Sequence, residues 1–350
     1  MHMADALLSP IVGGTMLAAT TGIAAYSVKK MQNNLDEKKI PLMGVIGAFI
    51  FASQMINFAI PGTGSSGHIG GGMLLAILLG PYAGFLTMAA ILLIQALFFG
   101  DGGLLAFGAN VFNLGFYTCF IAYPIIYKWL TRKGVTSKGI FWGSMLSALV
   151  GLQLGSFSVV IETVLSGKTE LPFSTFALLM QPIHLAIGIV EGLVTATVVT
   201  FVWKTRPEIL EKGAIGQPLG NVPVKRVLGA LLIAGLVVGG VMSWFASSHP
   251  DGLEWSIKKT AGTTELTTSG SIYTALTDFQ SLTAFLPDYG FKETVDENPA
   301  VPAAESEEKW PAMNVGTSIS GIVGGGLTLA MVVIVGVLIR IAKKKKRAVT

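Results

Sequence analysis

Apolar residues run along this chain in long unbroken blocks rather than in alternation. Blocks near 9–29, 41–60, 85–99, 107–130, 139–165, 174–203, 226–246 and 318–341 approach or exceed the length of a membrane-crossing helix, which takes about 20 apolar residues. A further apolar piece, about 69–80, is short for a full crossing. Its Gly-rich start leaves two readings open: a short tilted helix, or a helix buried in protein. Pro81 opens the next helix at a favourable first-turn position.

Composition sharpens the class. The chain has 350 residues, 51% of them hydrophobic and 13% charged, where soluble domains carry about 25% charge. The expected fold is therefore an all-α polytopic membrane protein. Its 43 glycines suit helices that pack closely through small residues. A single Cys, Cys119, excludes an internal disulfide framework and a Cys-rich zinc site. The run from Ile11 to Val28 resembles a signal sequence in hydropathy. However, no Lys or Arg precedes it and Lys29 and Lys30 follow it, the reverse of a secretory signal. Retention of the chain start is expected, since the large His2 side chain hinders removal of Met1.

Charge then orients the helices. The segments around 29–39, 128–138 and 204–226 and the tail from Arg340 hold 19 of the 24 basic residues. They share one face only if the 69–80 piece crosses. The positive-inside bias then predicts nine crossings, with the N-terminus out and the C-terminus in. The chain start and His68 fall on the same outer face.

Residues 1–203 read as a seven-helix unit, 204–225 as a cytoplasmic linker, and 226–350 as a second part. That second part has helices at 226–246 and 318–341 flanking a polar outer segment, 247–317, and ends in a basic cytoplasmic tail. Asn298 to Pro311 reads as a Pro/Ala/Glu linker.

The candidate chemistry begins at Met1 and His2. An α-amine and the His2 amide nitrogen close a five-membered ring on a metal. The same amide and His2 Nδ1 close a six-membered ring. Square-planar nitrogen coordination of this kind suits Ni(II) or Cu(II). Chain ends are commonly solvated and frayed, so the partner matters. His68 is the candidate fourth ligand, in the glycine-dense stretch Pro61–Gly72. Glycines there permit positive φ and close approach. One reading is a tight turn between helices; the other is a loop that folds over the chain start and presents His68. The Gly-Lys-Ser/Thr ending of a phosphate-cradling loop is absent.

His184 and Glu191, seven apart, share one helix face. His184 is either an outer partner of the metal site or a packed histidine. Glu191 sits deeper, where helix packing, contact with a partner subunit and ion handling are all open. Gln54, Asn57, Gln95, Asn110 and Asn113 fall in the outer half, where amides either fix a loop or join helices. Gly14, Ala18 and Gly22 form a small-residue stripe that allows close contact, within the fold or with another subunit. The His-Glu-x-x-His signature of a metalloprotease is absent, and Ser65 and Ser66 near His68 lack an orienting partner. A gradient-driven permease or channel and a metal sensor remain as other classes.

Four stretches resemble one family. Met1-His2, Gly64-Ser-Ser-Gly-His68-Ile-Gly-Gly-Gly72, Gln95 through Asp101 to Asn110 and Asn113, and His184-Leu-Ala-Ile-Gly-Ile-Val-Glu191 are similar to the CbiM/NikM proteins. These are the substrate-binding S components of energy-coupling factor transporters for cobalt and nickel. Asp251-Gly252-Leu253-Glu254-Trp255 resembles the hallmark of the small CbiN/NikN subunit, so the chain looks like a NikMN-type fusion. The resemblance implies a metal held by the Met1 amine, the His2 amide and imidazole, and the His68 imidazole. It implies Ni2+ as the transported substrate, with Co2+ for cobalamin biosynthesis as the alternative, and no organic cofactor. It also implies a transmembrane coupling (T) component and two cytoplasmic ATPase subunits as partners, in a prokaryotic cytoplasmic membrane. No nucleic-acid partner and no enzyme activity are expected.

Overall fold

In the computed structural model, described over residues 2–33, 36–169, 171–214, 217–264, 266–292, 311 and 313–349, helices dominate. In chain order they are α1 (Pro10–Asn33), α2 (Lys39–Gln54), α3 (Gly72–Leu79), α4 (Pro81–Phe99), α5 (Phe107–Thr131), α6 (Ser137–Ser166) and α7 (Phe173–Thr205). Then follow α8 (Pro207–Ala214), α9 (Lys225–Gly240), α10 (Gly252–Ala261), α11 (Ser271–Thr283) and α12 (Val315–Val349). Six of them, α1, α4, α5, α6, α7 and α12, are long and apolar enough to cross a membrane; α2 is a shorter apolar helix. Apolar helices suit lipid because every backbone polar group is satisfied within the segment.

The 41–60 block divides into helix and hairpin. α2 stops at Gln54, and the chain forms an antiparallel hairpin of β1 (Phe58–Ile60) and β2 (Ser65–Gly67), with Phe58 opposite Gly67. Gly62 and Gly64 take φ of +77° and +73° in its turn, a conformation that costs glycine little. α3 is eight residues long and wholly buried. At about 1.5 Å per residue it spans about 12 Å, so it is the buried form of the two readings. It packs on α4 and α5, and also touches α8.

α6 lies along α7, with α5 against α6. α9 and α12 pack together and on α2. Gly321 and Gly239 meet there backbone to backbone, leaving no room for a Cβ. Small residues thus allow the van der Waals contact that holds helices together in lipid. α10, α11 and the turn Pro287–Tyr289 cover one end of the bundle, where α10 contacts α7 and β2 and α11 contacts the end of α4. Met1, and the expected linker apart from Pro311, lie outside the described residues.

Candidate metal centre

The chain start is threaded into the bundle. Met3 N donates to Asn110 Oδ1 at 2.7 Å, and Asn110 Nδ2 donates back to the Met3 carbonyl at 3.1 Å. Gly103 N donates to the same carbonyl. Asp5 Oδ1 accepts from Ala106 N at 3.0 Å, and Met3, Leu7 and Leu8 are buried. Such a start is tied down rather than frayed. Met1, the other half of the expected chelate, is outside the described residues.

This anchoring delivers His2 to a pocket. Its Nδ1 lies 2.8 Å from Asp101 Oδ1, and its side chain is only 6% exposed. Nε2 is buried without a hydrogen-bond partner among the described residues. The imidazole stacks on that of His68, with centroids 5.1 Å apart and an interplanar angle of 23°. The expected chelate uses Nδ1, which here faces Asp101. Forming that ring requires the imidazole to turn over and release Asp101.

Asp101 and its surroundings were not singled out as a site by the sequence. The residue stands between Gly100 and Gly102, both at positive φ. Its other oxygen accepts from the Tyr289 hydroxyl. Burial opposes its ionisation, but the charge of His2 and the hydrogen bonds from His2 and Tyr289 prevail and hold its pKa well below the usual carboxylate range. Tyr289 comes from the segment between α9 and α12. It stacks on Phe99 at 5.1 Å, and it and Asp288 take φ of 60° and 49°. Left-handed backbone at non-glycine residues costs on the order of 1–3 kcal/mol each, so surrounding contacts must hold it. The clue in the sequence was an acid flanked by glycines; its partner 188 residues away was not visible.

His68 is held from both sides. On the bundle side, Glu191 Oε2 accepts from Gly70 N at 2.7 Å and Oε1 from Gly71 N at 3.2 Å. Gln54 Nε2 donates to the Gly70 carbonyl, and Gln95 Nε2 donates to Gln54 Oε1. On the other side, Ser66 N donates to the Pro250 carbonyl at 2.8 Å and Ser66 Oγ to the His249 carbonyl at 2.6 Å. Trp255 Nε1 donates to the Thr63 carbonyl at 3.0 Å. His68 Nδ1 lies 3.1 Å from the Ile69 carbonyl. As a donor there, it keeps the lone pair on Nε2. Burial is the main cause that lowers the His68 pKa to about 3, so the ring is neutral, the form that binds metals.

The other expected residues divide. His184 is buried near His68, and its Nδ1 donates to the Met180 carbonyl at 2.8 Å. Asn113 Nδ2 donates to Glu162 and approaches Met3 Sδ. Asn57 offers only its carbonyl, to Ser247 N, and its Oδ1 has no partner among the described residues. Glu191 is fully buried, where it anchors the loop. Gly14, Ala18 and Gly22 face outward, and a Cβ on Gly14 or Gly22 would meet nothing within 4 Å.

The Asp251–Trp255 stretch has a structural explanation. Asp251 Oδ1 accepts from Leu253 N and Glu254 N at 2.8 and 2.9 Å, and Glu254 Oε2 accepts from Asp251 N at 3.1 Å. That is a capping box, which starts α10 at a fixed place. Leu253 is buried. Gly252 abuts α7, where a Cβ would stand 2.6 Å from Ile183 Cγ2. Further along, Gln280 Nε2 donates to the carbonyls of Ala96 and Gly102, and the Tyr273 hydroxyl donates to that of Leu8.

Known proteins resemble this chain in both its first and its later residues. Residues 2–209 match the CbiM family, described as the cobalt uptake substrate-specific transmembrane region, and residues 225–341 match the PDGLE domain. A fused nickel transport protein NikMN of Rhodobacter capsulatus is 30% identical over 256 residues, covering 69% of this chain and 74% of that protein. A cobalt transport protein CbiM of Sorangium cellulosum is 32% identical, covering 61% and 95%. The crystal structure of a truncated transition metal transporter superposes with a TM-score of 0.52 at 32% identity, covering 59% of this chain and 99% of that one. This multi-pass membrane protein of the prokaryotic cytoplasmic membrane therefore belongs to the CbiM family of metal transport proteins and carries a PDGLE domain in the same chain.

Proposed function

We propose that this chain is the substrate-binding component of an ATP-driven importer of the energy-coupling factor type, and that nickel is its cargo. One observation carries the reading: His2 and His68 stack at 5.1 Å in a pocket built from the chain start and the glycine loop. With Met1 as the free chain start, its amine, the His2 amide, the His2 imidazole turned to Nδ1 and the His68 imidazole supply four nitrogens. A planar nitrogen set with an ionised amide favours Ni(II) over Co(II). Copper binds such donors more tightly still, so exclusion of copper rests on availability and on closure of the loop.

In this reading residues 1–203 capture the metal, 204–225 link on the cytoplasmic side, and 226–350 cover the site from outside. The N-terminus is out and the C-terminus in. Energy comes from two ATPase subunits through a coupling component. The exposed stripe of Gly14, Ala18 and Gly22 on α1 supports docking of that component, since small residues admit a neighbouring helix closely.

The test is titration of the purified chain with nickel, cobalt and copper, after N-terminal sequencing confirms Met1. One residue added before Met1 should abolish tight nickel binding, and His68→Ala should remove the square-planar absorption. Unchanged affinity in the extended chain sinks the terminal chelate. Tighter binding of cobalt than nickel sinks the metal assignment alone.

A further inference from the structure

A small cavity of about 10 Å³ lies beside His68, lined by Gly67, His68, His184, Ile187, Asp251 and Gly252 among others. That is room for about one water or one bare cation. Donor-bearing residues reach it from three places in the chain: the hairpin loop, α7, and the start of α10. His184 is 1% exposed. Its Nδ1–H is committed to the Met180 carbonyl at 2.8 Å, which leaves the lone pair on Nε2. That Nε2 is buried with no hydrogen-bond partner among the described residues. Buried polar atoms are rarely left so. A ring whose other nitrogen donates to a carbonyl is the usual arrangement of a metal-ligating histidine.

We propose that His184 Nε2 is a second metal-ligating nitrogen, a transit position for a divalent first-row cation in the cavity shared with His68 and Asp251. The inference rests on the reading that His2 and His68 capture such a cation. Imidazole suits nickel and cobalt alike. Among the described residues no three His, Cys, Asp or Glu side chains already converge at metal-holding distance. A position with so few converging ligands would hold a cation only in passing. Gly252 places the start of α10 against the ring, where a Cβ would stand 3.2 Å from His184 Cε1. The segment between α9 and α12 thus forms one wall of this position.

The experiment separates this position from the capture site. One residue is added before Met1 in the full-length chain, which disables the terminal chelate and leaves His68, His184 and Asp251 in place. Titration with NiCl2 should then show one weak residual site. His184→Asn, whose amide can still donate to the Met180 carbonyl, should weaken that site by more than the roughly 10- to 100-fold that loss of a mere outer partner costs. With Cu2+ as probe, the same substitution should remove one nitrogen from the hyperfine pattern. Should the Asn variant not fold, His184→Gln replaces it. The proposal is overturned by an extended chain with no residual binding, or by residual binding that a folded His184 variant leaves unchanged. An extended chain that binds as tightly as the native one instead overturns the capture reading, while the dependence on His184 is still read directly.

Discussion

Asp101 accepts a hydrogen bond from His2 Nδ1 at 2.8 Å, while its second oxygen takes the Tyr289 hydroxyl. One carboxylate therefore joins the chain start to the segment between α9 and α12. Asp101→Asn keeps the shape and removes the charge. Chelation through Nδ1 breaks this hydrogen bond, so Asp101 holds the metal-free ring; removing a charge-assisted bond of about 1.5–3 kcal/mol should tighten nickel binding roughly 10-fold or more by calorimetric titration. Tyr289→Phe should have a smaller effect on affinity and a larger one on the rate of nickel release to a chelator. Identical behaviour of the two variants would mean that Asp101 serves only the fold.

Glu191 presents two oxygens to two backbone N–H groups, at Gly70 and Gly71. Glu191→Gln offers one acceptor oxygen, so one buried N–H is left unmatched at a cost of about 1–3 kcal/mol. The loop should loosen while the helices stay folded. Hydrogen exchange at residues 66–72 should rise and nickel affinity should fall. Unaltered exchange there would remove Glu191 from the account of how His68 is positioned.

How far the residues announced this arrangement depends on the range of the interaction. Six of the expected spans were legible: blocks at 139–165 and 174–203, for example, became Ser137–Ser166 and Phe173–Thr205, because lipid demands continuous apolar helix. The hairpin at 58–67 was not. Its strands are three residues each, too short for an alternation to register, and the glycines around it fit any turn. The meeting of His2 and His68 was legible because the charge bias put the chain start and the glycine loop at the same face. Asp101 with Tyr289, and Ser66 with His249 and Pro250, were not, because pairing across more than 180 residues leaves no mark in spacing. His184 was visible as a residue, but the direction of its Nε2 was not.

Gly252 stands where a Cβ would lie 2.6 Å from Ile183 Cγ2. Overpacking of this sort costs about 1–3 kcal/mol. In Gly252→Ala the start of α10 should lift from α7, making residues 252–292 more sensitive to protease. Nickel uptake by vesicles carrying the complete transporter should fall more than equilibrium binding. Equal losses would place the segment between α9 and α12 within the binding site itself.

The small residues on α1 are exposed, and only 17% of the apolar window of that helix is buried against 72% for α4. Gly22→Leu adds bulk to open space, so stability should change by no more than about 0.5 kcal/mol. Nickel binding by the isolated chain should persist. Co-purification with the coupling component should drop sharply if α1 is its docking face, and undiminished recovery would assign the stripe to lipid.

The segment that grips the Ser66 backbone is covalently continuous with the bundle it covers. A separate subunit would find the loop at a rate set by how many copies the membrane holds. Here each parting of Ser66 from Pro250 is followed by a first-order return, governed by a fixed effective concentration. The interval during which the pocket stands open is thus written into the tether, and it should stay the same however strongly the cell expresses the protein.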